Sequence, residues 1–113
     1  MECIFCQIAS GKIPSDIVYQ DEEIIAFPDI KPLAPVHILV IPKRHISALD
    51  QLKEDELPII TRMIDIAKQL AKREGVAQSG YRLVINCGAE GGQVVPHLHL
   101  HLLGGRRLSG KVG

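Results

Sequence analysis

Three histidines at alternate positions, His97, His99 and His101, separated by Leu98 and Leu100 and followed by Leu102 and Leu103, constrain this chain more than any other feature. Strict period-two alternation puts one residue type on each face of an extended strand. The pattern predicts a β-strand from Pro96 to Leu103, with leucines on a core and a row of imidazoles opposite. At ~3.3 Å per residue, neighbouring members of the row stand about 6.6 Å apart and the outer pair about 13 Å. One metal ion with nitrogen bonds of ~2.1 Å joins two neighbours but never all three. At least one imidazole therefore has another task. With an ordinary pKa near ~6.5, it can act as acid, base or nucleophile at neutral pH.

The 113 residues suit one domain over 1–113, with 106–113 as a short basic tail. Thirteen basic side chains balance thirteen acidic ones, which argues against a nucleic-acid module or a polybasic membrane binder. No apolar run approaches the ~20 residues of a membrane span. Met1-Glu2-Cys3 has neither the basic region nor the apolar segment of a signal peptide. The expectation is a cytoplasmic protein with no nucleic-acid or membrane partner, and three cysteines there argue against a disulfide framework.

Along the chain, residues 3–10 suit one or two helical turns stopped by Gly11 and Pro14. Strands are expected at 17–20 and 23–27, forming a hairpin, and at 36–41, whose continuous apolar character predicts cover on both faces. Acidic residues 54–56 and basic residues 68, 72 and 73 bracket a long helix over 55–74, with Pro58 in its first turn. This helix carries two apolar stripes, Leu57, Ile60, Ile64, Ala67 and Ala71 beside Ile59, Met63, Ile66 and Leu70. A sheet covers one stripe; the second predicts a homodimer through this helix, against the plainer alternative of a wide buried face. A strand over 81–87 precedes the histidine strand. The expected fold class is α+β: an antiparallel sheet of about five strands, one long helix and a short N-terminal helix.

Several residues carry possible chemistry. Gly88, Gly91 and Gly92 can adopt positive φ, so their loop is either a simple connection or a nest of N–H groups for an anion. His37 is either a hydrogen-bonded core residue or, if its strand neighbours the triad strand, a fourth member of the imidazole cluster. Asn86 either orients a ligand or satisfies backbone groups. Cys3-x-x-Cys6 has the spacing of half a tetrahedral zinc site, the alternative being two small buried hydrophobes. Cys87 or a histidine would complete such a site; His45 is a natural third ligand and His97 a fourth.

These motifs together resemble the histidine triad (HIT) family, in its Hint branch of nucleotide-binding proteins. The resemblance rests on His97-x-His99-x-His101 with its two leucines, Gly91-Gly92-Gln93, Ala34-Pro35-Val36-His37 and Val40-Ile41-Pro42-Lys43. Cys3-Ile4-Phe5-Cys6, Ala26-Phe27-Pro28-Asp29-Ile30 and Gly104-Gly105-Arg106 extend it over nearly the whole chain. The resemblance implies a homodimeric hydrolase of purine nucleoside phosphoramidates, of AMP or GMP type, with no cofactor for catalysis. His99 would form a nucleotidyl-histidine intermediate, with His101 and His37 at the phosphate and Asn86, Gly92 and Gln93 helping to hold it. Asp29 would accept from the ribose hydroxyls, and Phe5, Ile8, Phe27, Ile30 and Leu39 would line the base pocket. Cys3, Cys6, His45 and His97 would hold a structural zinc ion. Val94 stands where relatives often carry a hydroxyl that assists the leaving group, and valine cannot donate such a hydrogen bond. The alternatives are dinucleoside polyphosphate hydrolysis, as in the fragile histidine triad branch, and a nucleotide- or zinc-binding regulatory protein with little catalysis.

Overall fold

The structure, a computed structural model, describes residues 3–112. A short helix α1 (Ile4–Ala9) leads into β1 (Tyr19–Gln20), β2 (Ile24–Pro28) and β3 (Val36–Pro42). Two single turns of 3₁₀-helix, Leu49–Gln51 and Glu54–Glu56, precede the long helix α2 (Pro58–Arg73), and β4 (Tyr81–Ile85) and β5 (Leu100–Gly104) complete the chain. The strands form one antiparallel sheet in the order β1-β2-β3-β5-β4. The expected α+β class and five-strand sheet are present. Among the described residues no helix is long and apolar enough to cross a membrane.

Alternation along β2 and β3 builds two apolar layers. Ile24, Ala26, Ile38 and Val40 face α2, where they meet Met63, Ile66, Ala67, Leu70 and Ala71 together with Leu98, Leu100 and Leu102. Ile25, Phe27, Leu39 and Ile41 point the other way and pack with Phe5 of α1. This double cover explains the unbroken apolar run of β3. His37 shares its odd parity with Leu39 and Ile41, which puts it on the α1 side of the sheet.

Several boundaries depart from expectation. The long helix begins at Pro58 rather than at residue 55. Proline lacks a donor and its ring clashes with the carbonyl four residues back, so the acidic run closes a separate turn in which the Lys53 N–H donates to Glu56 Oε1 at 2.8 Å. The regular part of the histidine strand starts only at Leu100. Its pairing with β3 stops at Val40 opposite Leu100: farther along β3, Pro42 has no N–H to give, and the Leu98 N–H donates to the Ile46 carbonyl at 2.6 Å instead. Leu98, Leu100 and Leu102 nevertheless stay on the core side, and His97 and His99 lie on irregular chain whose rings meet Phe5 on the opposite side. The outer strands are also shorter than expected, at 19–20 and 81–85.

Helix α2 buries Met63, Ile66 and Leu70 of one stripe, with Ile59 half-buried, and divides the other. Ala67 and Ala71 are buried and Ile60 is half-buried, while Leu57 and Ile64 remain 49% and 39% exposed.

Candidate active site

Strand pairing sets the imidazole cluster. β3 lies beside β5 in a register that aligns Leu39 with His101 and His37 with Leu103. The rings of His37 and His101 meet diagonally, with His37 Nε2 at 2.9 Å from His101 Nδ1. His37 is therefore the fourth member of the cluster rather than an isolated core residue. The backbone N–H of Leu33 donates to His37 Nδ1 at 3.1 Å. That bond makes Nδ1 an acceptor, so a neutral His37 carries its proton on Nε2 and donates it to His101 Nδ1. His101 must then hold its own proton on Nε2. Asp29 lies alongside, with Oδ2 at 3.6 Å from His37 Nε2, while its Oδ1 accepts from the Lys31 N–H at 2.9 Å.

His99 has the reverse arrangement. Its Nδ1 is 2.6 Å from the carbonyl of His97. A carbonyl only accepts, so Nδ1 carries the proton and Nε2 keeps a lone pair. The ring is buried and packed edge-on against Phe5 at 5.2 Å and His101 at 4.9 Å between centroids. Burial pulls His101 well below the ordinary imidazole value, to about 4, and the neighbouring His99 and His37 push the same way against Asp29. Burial also lowers His37, opposed by Asp29. Both are neutral at pH 7, as this tautomer assignment requires.

The expected base-pocket residues separate into wall and rim. Phe5, Phe27 and Leu39 are buried with Ile8 packed against them, and the two phenyl rings meet edge-on at 5.6 Å. Ile30 stands 86% exposed, on a groove of about 400 Å³ that also involves Pro14, Ser15, Asp16, Pro28 and Asp29. Val94 is 89% exposed.

The glycine loop differs from a nest. The N–H groups of Gly91, Gly92 and Gln93 donate to the carbonyls of Gly88, Ala89 and Gly88, and the Gly88 N–H donates to Gln93 Oε1 at 2.9 Å. These donors are used within the loop because it closes as a tight turn, with Gly88 and Gly92 at positive φ. Asn86 satisfies backbone here, its Nδ2 donating to the Gly91 carbonyl at 2.7 Å. Gln93 braces the loop through Nε2, which donates to the carbonyls of Ser47 and Val95 at 2.7 and 3.0 Å. That brace, like the Leu33 N–H bond to His37, was invisible to motif reading because each joins a side chain to a main-chain group, and motifs list side chains alone.

A second cluster lies behind the first. Donor atoms of Cys3, Cys6, His45 and His97 all fall within 4.8 Å of one another. His45 Nδ1 is 3.6 and 3.2 Å from the sulfurs of Cys3 and Cys6, and His97 Nδ1 is 3.3 and 3.5 Å from them. Tetrahedral zinc with bonds of ~2.3 Å to sulfur and ~2.1 Å to nitrogen requires S···N edges of about 3.6 Å, so the residues fit that ion. His97 Nε2 donates to the Pro42 carbonyl at 2.8 Å, which leaves the Nδ1 lone pair facing the sulfurs; a carbonyl in that role is the usual support of a ligating histidine. Cys87 is not part of this group.

Residues 2–111 match the family model described as scavenger mRNA decapping enzyme C-terminal binding. The chain is 49% identical over 107 residues to the purine nucleoside phosphoramidase of Escherichia coli strain K12, covering 95% of this chain and 90% of that one. A HIT family hydrolase from Legionella pneumophila Philadelphia 1 superimposes with a TM-score of 0.95 at 46% identity, covering 99% of this chain and all of that one (100%). A histidine triad protein from Clostridium difficile gives a TM-score of 0.96 at 45% identity, covering 99% and 97% of the two chains.

Proposed function

Because this chain belongs to the histidine triad (HIT) family, we propose that it is a purine nucleoside phosphoramidase of the Hint branch, working through a nucleotidyl-histidine intermediate. The observation that carries the reading is the tautomer of His99, whose Nδ1–H is taken by the His97 carbonyl at 2.6 Å. Its Nε2 lone pair attacks the α-phosphorus of the bound phosphoramidate, forming a bond to phosphorus as the substrate P–N bond breaks and the amine leaves with a proton taken from solvent. Water then attacks the same phosphorus, releases the nucleoside monophosphate and restores the imidazole. The Nε2–H of His101, backed by His37 and the Leu33 N–H, donates to a phosphate oxygen where negative charge gathers. Asp29 accepts from the ribose hydroxyls, with the base against Phe5, Ile8, Phe27, Ile30 and Leu39, and Asn86, Gly92, Gln93 and Val94 bound the phosphate end.

The same reading includes a structural zinc ion on Cys3, Cys6, His45 and His97, supported by the sulfur–nitrogen distances of 3.2–3.6 Å. Such an ion ties α1 to the chain beside the active site and takes no part in the chemical steps. The reading also includes a homodimer through α2, supported by the exposed Leu57 and Ile64.

The test is to mix the protein with an adenosine phosphoramidate, quench early and weigh the product. A nucleotidyl adduct on His99 is expected, and His99→Ala should bind AMP yet lose turnover. Tight AMP binding with neither adduct nor turnover in the wild type would sink the enzyme reading.

A further inference from the structure

We infer that the thiol–imidazole cluster and the nucleophile form one mechanical unit, in which the main-chain carbonyl of His97 and the ring of Phe5 are positioning groups for His99. The inference rests on the reading of His99 as nucleophile and deepens it: metal in the cluster governs how well that nucleophile is presented.

His97 belongs to both sites. Its Nδ1 faces the two sulfurs at 3.3 and 3.5 Å, and its carbonyl takes the His99 proton at 2.6 Å. Phe5 belongs to both as well. It lies between the two cysteines in sequence, and its ring meets His97 at 5.9 Å and His99 at 5.2 Å. The helix that carries it has only six residues, whereas isolated helices below about 12 residues are marginal in water. The placement of α1 therefore depends on what it is tied to: the packing of Phe5 and Ile8, and the sulfurs of Cys3 and Cys6. His97 is anchored on its other side by the bond from Nε2 to the Pro42 carbonyl.

An ion joining all four donors fixes the backbone at His97 and the Phe5 ring together. Without it, the contacts that join the two thiols to the two imidazoles are weak ones, and both supports of His99 loosen. Loss of the His97 carbonyl as acceptor lets the His99 proton move to Nε2, the atom that must attack. Removing a supporting contact of this kind commonly costs about 10- to 100-fold in activity.

The experiment compares zinc-loaded protein with protein stripped by a chelator and with stripped protein given zinc back. Three quantities are followed: the nitrogen chemical shifts of His99, which report the atom carrying the proton; the rate of adduct formation; and AMP affinity. The expected result is an Nδ1–H tautomer when loaded and a mixture when stripped. Adduct formation should slow by about tenfold or more while AMP affinity changes little, and zinc should restore both. Identical tautomer and adduct rate in loaded and stripped folded protein overturns the inference, as does a wild type that binds no zinc. Should stripping unfold the chain, His45→Ala at limiting and saturating zinc replaces it: a tautomer that follows occupancy upholds the coupling, and one that ignores it overturns it. A zinc-dependent tautomer without any adduct on His99 would instead overturn the nucleophile reading alone. Phe5→Leu at full zinc occupancy should disturb the His99 shifts with zinc content unchanged; undisturbed shifts would remove Phe5 from the unit.

Discussion

Mild acid should destabilise this fold, and His101 should account for a definable part of the loss. Burial holds its folded-state pKa at about 4, against ~6.5 in an unfolded chain. The folded form therefore binds fewer protons than the unfolded form between these values. The corresponding stability is complete above about pH 6.5 and is lost as pH falls toward 4. At about pH 5 the unfolded chain has taken up most of its proton while the folded chain has not, a difference of roughly 2 kcal/mol. The ring is only partly buried, so solvent screening reduces this to about 1–1.5 kcal/mol. The groups facing it are His99, His37 and Asp29, and His37 is lowered as well, so the wild type contains more than one contribution. His101→Gln isolates the first, because glutamine has no titrating ring yet offers an oxygen to the His37 Nε2–H. Urea unfolding of both proteins at about pH 7.5 and about pH 5 reads the difference. The variant should lose about 1 kcal/mol less than the wild type on acidification. An equal loss in the two proteins would refute the idea that burial of a neutral His101 sets this dependence.

Other substitutions probe separate links. Val94→Ser changes an 89% exposed side chain, so stability should stay within about 0.5 kcal/mol in a thermal melt. Phosphoramidate turnover should rise if a hydroxyl there helps the amine depart. Gly105 has φ +95°, and a Cβ on it would lie 2.9 Å from Pro35 Cβ; Gly105→Ala should cost about 1–3 kcal/mol in urea unfolding. It should also slow turnover, because the neighbouring Arg106 donates to the Leu33 carbonyl at 2.7 Å, and the Leu33 N–H orients His37. Leu102, fully buried between α2 and the sheet, should cost about 2–5 kcal/mol on truncation to alanine.

What could be read from the sequence depended on whether the signal was local. Alternation in 96–103 identified the two faces of that segment, because side-chain parity follows from extended backbone alone. It could not place the start of regular strand, which depends on where the Leu98 N–H finds a partner. That partner is the Ile46 carbonyl, 52 residues away by the numbering. The charges flanking α2 and its buried stripe were legible for the same local reason, whereas the turn at Glu54–Glu56 hung on one side-chain-to-backbone bond. For the thiol cluster, spacing identified Cys3 and Cys6 as a pair with His45 and His97 as the expected further donors, and tertiary structure brings those four together and leaves Cys87 outside.

The three imidazoles of the triad are chemically identical side chains two residues apart, and they differ in which ring nitrogen the fold engages. The Pro42 carbonyl takes the Nε2–H of His97 and turns the Nδ1 lone pair to the sulfurs. The His97 carbonyl takes the Nδ1–H of His99 and leaves Nε2 with its lone pair. His37 donates to Nδ1 of His101, which leaves a proton on Nε2. A lone pair turned to two thiols, a lone pair left on Nε2 and a proton left on Nε2 thus arise from one repeated residue through three neighbouring hydrogen-bond partners. Two of the three partners are backbone carbonyls, groups that no side-chain substitution removes directly, and one of these belongs to the triad itself. Moving the backbone at His97 consequently changes the second histidine as well as the first, which is why the row acts as a connected set rather than as three independent side chains.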